Sequence, residues 1–194
     1  GMDNLLIEPE DADEYIDKRT LLVVVDTHRK SFLEYPELFD LVNTVVVIDH
    51  HRKTVDHINK AVIFYHEPNA SSASEMVTEL IEYIDAEVKV PQVCAEALMS
   101  GITLDTKNFV MKTGVRTFEA AAWLRRQGAD PTEVKRFFQK DPVTFRINAQ
   151  ALASARILSN GVAVSICEEA HADEQVICAQ VADQLLTIKG TRAS

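Results

Sequence analysis

Two short stretches and one isolated acid carry the residues best suited to chemistry at a metal ion or a phosphate. Asp26-Thr27-His28-Arg29-Lys30 and Asp49-His50-His51-Arg52-Lys53 repeat one pattern: an acid, imidazole within two positions, then two cations. Asp105 is the third element of the set, an acid at the end of an apolar helical stripe. Carboxylate oxygens combined with imidazole suit Mn2+, Mg2+ or Fe2+ rather than a closed structural zinc site. Paired divalent ions of that kind activate water and stabilise an in-line displacement at phosphorus.

The flanking residues say how such side chains could be brought together. Leu21-Leu22-Val23-Val24-Val25 runs straight into Asp26, and Thr44-Val45-Val46-Val47-Ile48 runs straight into Asp49. Apolar, β-branched runs of this length read as strands buried on both faces, as in a parallel sheet. Pro36 to Val42 reads as a short helix between them. The unit is therefore a compact strand–helix–strand with a right-handed crossover, and both acids emerge at one sheet edge. Adjacent strands lie about 4.8 Å apart, close enough for one metal cluster to collect both ends. In open α/β sheets that edge is where ligands bind. Ala61 to Tyr65 is a third strand. Asn69-Ala70-Ser71-Ser72 supplies a turn and an N-cap for a helix whose apolar face is Ala73, Met76, Val77, Leu80, Ile81 and Ile84. From Pro91 the stripe Cys94, Ala97, Leu98, Gly101, Ile102 continues to Asp105. A carboxylate on a buried stripe is costly unless paired or metal-bound.

Elsewhere the sequence predicts a short acidic helix over 9–17, helices over 116–127, 131–140 and 142–158, a strand over 162–167 and a helix over 173–188 with Ile177, Val181, Leu185 and Ile188 inward. Gly128-Ala129-Asp130-Pro131 is a helix stop and restart. The fold class is α/β: a parallel sheet with flanking helices, followed by the start of a second α/β domain. The expected organisation is a partial catalytic domain over 1–141, a linker helix over 142–160 and the beginning of a further domain over 161–194.

Composition narrows the classes. The chain is 46% hydrophobic and 26% charged, an ordinary globular mixture. Its net charge of −10 excludes a non-specific duplex nucleic-acid surface, which needs a basic footprint. A small nucleotide held through a metal remains compatible. Cys94, Cys167 and Cys178 are an odd set without C-x-x-C spacing, so they are expected as reduced core thiols. No apolar run approaches the roughly 18 residues of a membrane span. Gly1-Met2 reads as a residual tag scar, so the chain is expected to be cut from something longer.

The motifs VVVDTHR, IDHHR and GITLDTKNF resemble the second, third and fourth motifs of the DHH phosphoesterase superfamily. With TGVRTFEAAAWLRRQGAD and VICAQVADQLLTIKG, the resemblance over residues 20–190 narrows to the membrane-anchored cyclic di-AMP phosphodiesterases of the GdpP type, with PAS and GGDEF domains before the DHH module. It implies Asp26 as a carboxylate bridging two Mn2+ ions, His50 and Asp105 as metal ligands, and His51 as a donor facing the phosphate. Asp49 would orient a histidine from behind, and the product would be linear pApA. It also implies a cytoplasmic catalytic module in a membrane-anchored parent. The family's first motif, H-x-x-P-D-x-D, has no match in residues 1–20, and its Gly-Gly-Gly-His loop has none before residue 194. The chain alone is therefore expected to be inactive or nearly so.

Arg29 and Arg52 are candidate phosphate contacts beside the plainer reading of solvated loop charges. His28 is expected as a partly exposed loop residue, His57, His66 and His171 as surface residues, Ser71 and Ser72 as caps, and Phe118 and Trp123 as core. Two other readings stay open: a DHH enzyme for short oligonucleotides or pyro- and polyphosphate, and a non-catalytic DHH module for dimerisation or sensing. An uncovered sheet edge predicts a homo-oligomer.

Overall fold

A computed structural model describes residues 7–84, 87–167 and 174–194. The chain divides into two compact units, Gly1–Phe137 and Phe138–Ser194.

In the first unit, a short helix α1 (Pro9–Ala12) precedes strand β1 (Leu21–Val25). Helix α2 (Leu38–Leu41) leads to β2 (Thr44–Asp49), and β3 (Ile63–His66) follows. The three strands are parallel in the order β1-β2-β3, with Val25 beside Ile48 and Asp49 beside His66. Side chains alternate across such a sheet, so two faces form. On one face Val24, Val45 and Val47 pack against Phe39, Val42 and Ile58. On the other, Ile48 packs against Ala70, in the turn before helix α3 (Ala73–Ile84), and against Met76 of that helix, with Val46 and Tyr65 alongside.

β2 is the doubly buried strand its sequence predicts, but β1 is not. Leu21, Val23 and Val25 are 53%, 45% and 50% exposed. They lie on the face where α3 covers the side chains of β2 and β3, and β1 forms the flank.

α3 begins with a cap built from its own sequence. Ser72 Oγ accepts from the Glu75 N–H at 3.0 Å, and Ser71 Oγ donates to the Glu75 carboxylate at 2.5 Å. Ser72 serves as the expected cap, while Ser71 bonds the Glu75 side chain rather than a helix N–H. Helix α4 (Gln92–Asp105) buries Ala95, Met99 and Ile102 against Ala120, Trp123 and Leu124 of helix α5 (Val115–Arg126) and Val134 of helix α6 (Pro131–Arg136). Its buried face is thus rotated by one residue from the predicted stripe: Cys94 and Ala97 are exposed, and Asp105 stands at the flank with its side chain 33% exposed. The flank is where α4 meets α3. A Cβ on Gly101 would lie 2.1 Å from Ser74 Oγ, so only glycine permits that approach. Gly128 (φ +103) ends α5, and Asp130 caps α6 by accepting from the Thr132 N–H at 2.8 Å. Phe118 is exposed rather than core; it points off the Thr117–Ala120–Leu124 face and stacks on Phe109 at 5.7 Å.

In the second unit, helix α7 (Pro142–Ser154) is capped by Asp141 and packs against helix α8 (Glu174–Leu185). The predicted helix over 142–158 ends at Ser154, because Arg156–Ile157 (β4) pairs antiparallel with Ala163–Val164 (β5) around a turn whose Gly161 has φ +81. The core is Ile147, Ala151, Ala163, Ile177, Val181 and Leu185. The cysteines are not core thiols: Cys178, like Cys94, is exposed, and Cys167 is half-buried. His171 lies outside the described residues.

Candidate metal centre

The chemistry-bearing residues sit at the carboxyl edge of the parallel sheet. Asp49 is the last residue of β2, and Asp26 follows β1 directly, its N–H donating to the Ile48 carbonyl at 3.0 Å. Asp26 has φ +63, a left-handed conformation that aspartate tolerates better than most residues. This turns the chain away from the sheet at the residue whose carboxylate is needed.

His50 is the centre of the group. Its Nε2 lies 3.4 Å from Asp26 Oδ1 and 3.5 Å from Asp105 Oδ2. Asp105 reaches it from the C-terminal end of α4, across the close α3–α4 approach at Gly101. One donor atom each from Asp26, His50 and His51 lie within 4.8 Å of one another. Of the three residues predicted as metal ligands, Asp26 and His50 belong to this mutually close set, and Asp105 adjoins it through His50.

Its electrostatics are those of a site short of positive charge. His50 holds its proton above the ordinary 6.5, because Asp26 accepts from it; burial opposes this, and Asp105 reinforces it. Burial pushes the Asp105 carboxyl up, and the neighbouring Asp26 carboxylate pushes it further. A divalent cation would reverse both pressures. Carboxylate oxygens on either side of an imidazole nitrogen are a donor set that fits such an ion.

Behind this group lies an arrangement of four side chains that the sequence reading resolved only in part. Asp49 is completely buried. One of its carboxylate oxygens accepts from His51 Nδ1 at 2.8 Å, and the other from His28 Nδ1. His28 is only 2% exposed, not a loop surface residue. The Thr54 N–H donates to His28 Nε2 at 3.1 Å, which leaves the ring proton on Nδ1, facing Asp49. His66, expected at the surface, is half-buried and donates to the His51 carbonyl at 2.6 Å. The signal for His28 was present in the repeat itself: histidine stands two residues after the acid in both stretches, and parallel register sets the two strand ends side by side. His66 and Thr54 carried no such signal.

Burial raises the Asp49 carboxyl, but the bonds from His28 and then His51 outweigh it and hold the group below its usual range. His51 itself is half-exposed, fixed through Nδ1 and free to present Nε2 outward. Arg52 is exposed. Arg29 lies 3.7 Å from Asp56 and stacks over Phe32 at 4.1 Å. His57 is half-buried, with Nδ1 donating to the Val55 carbonyl at 3.1 Å. No helix among the described residues is long and apolar enough to cross a membrane.

Comparison with known proteins gives a consistent result. A family model described as the DHH family, N-terminal domain, matches residues 2–102. The cyclic-di-AMP phosphodiesterase GdpP of Geobacillus thermodenitrificans is 44% identical over 188 residues, 97% of this chain and 29% of that protein. The cyclic-di-AMP phosphodiesterase PdeA of Listeria monocytogenes is 42% identical over 189 residues, again 97% of this chain and 29% of that protein. The chain therefore spans less than a third of the length of these relatives. Among solved structures, an exopolyphosphatase-related protein from Bacteroides fragilis superposes with a TM-score of 0.76 at 20% identity, covering 94% of this chain and 56% of that one. At that identity the match establishes the fold.

Proposed function

The chain belongs to the DHH family of phosphoesterases, and from that premise we propose that it forms the metal-binding portion of a phosphodiesterase that hydrolyses cyclic di-AMP to pApA. One observation carries the reading: the carboxylates of Asp26 and Asp105 converge on His50 Nε2 at 3.4 and 3.5 Å, at the edge of a parallel sheet. The relatives named for cyclic di-AMP supply the substrate class.

In this reading Asp26, His50 and Asp105 would hold Mn2+, which would supply Lewis acidity and charge neutralisation at the scissile phosphate. His51 faces the phosphate. Asp49 fixes its ring through Nδ1, so that Nε2 holds or gives a proton at the leaving oxygen. His28 and Thr54 fix Asp49 in turn. Arg52, exposed beside this edge in sequence, is a candidate phosphate contact. The apparatus catalyses only as part of a larger ligand set. Two octahedral ions need more donors than these residues provide among the described ones. The chain by itself should therefore turn over cyclic di-AMP slowly or not at all. Turnover at a rate typical of enzymes by the purified chain with Mn2+ would refute that.

A chimera tests the assignment. With this chain replacing the matching segment of the Geobacillus relative, Mn2+-dependent cleavage of cyclic di-AMP to pApA is expected, and His50→Ala should abolish it. A chimera that folds and binds Mn2+ but cuts only short oligonucleotides or pyrophosphate overturns the substrate. One that binds Mn2+ and cuts none of them overturns the enzymatic reading.

A further inference from the structure

The second unit holds a pair of thiols that the phosphoesterase reading does not use. Cys178 lies on α8 beside the core residue Ile177, and its thiol is exposed. Cys167 follows β5, half-buried against the α7–α8 core. The Cys178 thiol donates to Cys167 Sγ at 3.5 Å, and both cysteines are free. Two cysteines 11 positions apart in sequence, on two different segments, meet at van der Waals range. A disulfide needs the sulfurs at about 2.05 Å, so the remaining gap is on the scale of a side-chain rotation.

We propose that Cys167 and Cys178 are an oxidation site, closing to an intramolecular disulfide on exposure to a peroxide. The exposed Cys178 meets the oxidant first. Its thiolate attacks one peroxide oxygen, the O–O bond breaks, and Cys178 becomes a sulfenic acid while the departing oxygen leaves as water. Cys167 then attacks the Cys178 sulfur, the S–O bond breaks, the S–S bond forms, and a second water leaves. Two thiols are oxidised, one peroxide is reduced to two waters, and both thiol protons end in water. Burial and the contact with Cys178 push the Cys167 thiol up, which leaves the first attack on the oxidant to the exposed Cys178. The bond would tie the segment after β5 to α8 and restrict the unfolded chain, which stabilises this unit. A dithiol of this kind in a reducing compartment acts transiently, as a sensor of oxidant rather than as a permanent staple.

The test uses the whole chain, with Cys94 as the internal control. After treatment with hydrogen peroxide, denaturation and alkylation, peptide mapping should find Cys94 alkylated and the Cys167 and Cys178 peptides joined. A thiol reductant should reverse the joining, along with an upward shift in melting temperature. Cys178→Ser should leave Cys167 alkylatable. Cys167→Ser should stop Cys178 at a sulfenic acid that a dione reagent captures. If either variant fails to fold, the map of the unaltered chain decides alone. Alkylation of Cys167 and Cys178 with Cys94 oxidised, or cross-links formed only between molecules, would overturn the proposal. No outcome depends on phosphodiesterase activity.

Discussion

At the scale of single residues, His50 is the most informative titrating group. In metal-free protein Asp26 holds a proton on its ring against the pull of burial, and Asp105 adds to the hold. A raised histidine pKa contributes stability that is complete below pH 6.5 and is lost as pH climbs through the folded value. Metal competes with the same proton, so metal affinity should rise over that interval. An NMR titration of the His50 ring should give a midpoint above 6.5, moved down by Asp26→Asn and by added Mg2+. A midpoint at or below 6.5 in the unaltered protein would refute the geometry. His28 offers the complementary case. Removing it strands a fully buried carboxylate with only His51 as a ring partner, and losing a hydrogen bond to a buried charged group costs about 2 kcal/mol. His28→Asn should lower the urea midpoint by that measure with an unchanged slope. The sign with pH is opposite to that of His50. Asp49 contributes stability above the ordinary carboxylate range, lost as pH falls through its depressed folded value. The variant should lose part of this acid dependence; an unaltered profile would remove His28 from its supporting role.

At the scale of elements, the site depends on how closely α4 lies against α3, because that approach carries Asp105 to His50. Gly101 permits it. A methyl group there would sit 2.1 Å from Ser74 Oγ and 3.0 Å from Ser74 Cβ. Gly101→Ala should gain up to about 1 kcal/mol of helix propensity. It should lose about 1–3 kcal/mol to overpacking, for a net destabilisation. It should also weaken Mn2+ binding by withdrawing Asp105. Ser74→Gly in the same chain should restore both, a coupling that a double-mutant cycle reads directly. Additive effects would show that the two helices do not meet there. This contact also explains what was legible in the sequence and what was not. The strand ends were legible because buried parallel strands are written as unbroken apolar runs, and acids at their ends stand out. Asp105 was found for a reason that needs correction. It lies on the flank of α4, not on its buried stripe, since Ala95, Met99 and Ile102 form the core face. Small residues at 94, 97 and 101 looked apolar enough to be core, and only tertiary packing chooses between two faces one residue apart. His66 and Thr54 were illegible because their roles come from β3 lying next to β2 and from a loop folding back onto His28.

At the scale of the molecule, β1 is an edge strand among the described residues. Its free edge presents backbone groups with no strand beyond them among the described residues, and Leu21, Val23 and Val25 form an apolar stripe on the flank of the sheet face that α3 leaves uncovered. An edge of that kind recruits another copy of itself unless charge prevents it. The charge is substantial, −10 over 194 residues, and repels like molecules most strongly at low salt. The two effects make a specific prediction. Light scattering should find dimers or larger species, and their share should grow as salt is raised from about 0.01 to 0.15 M, because the screening length falls from about 30 to 8 Å. Val23→Glu puts a charge in the middle of the stripe, on the uncovered flank, where no described core contact is lost. It should shift the population toward monomer at every salt concentration without lowering the melting temperature of the monomer. A clean monomer in the unaltered chain, or association that weakens with salt, would mean that the exposed stripe is not what drives copies together.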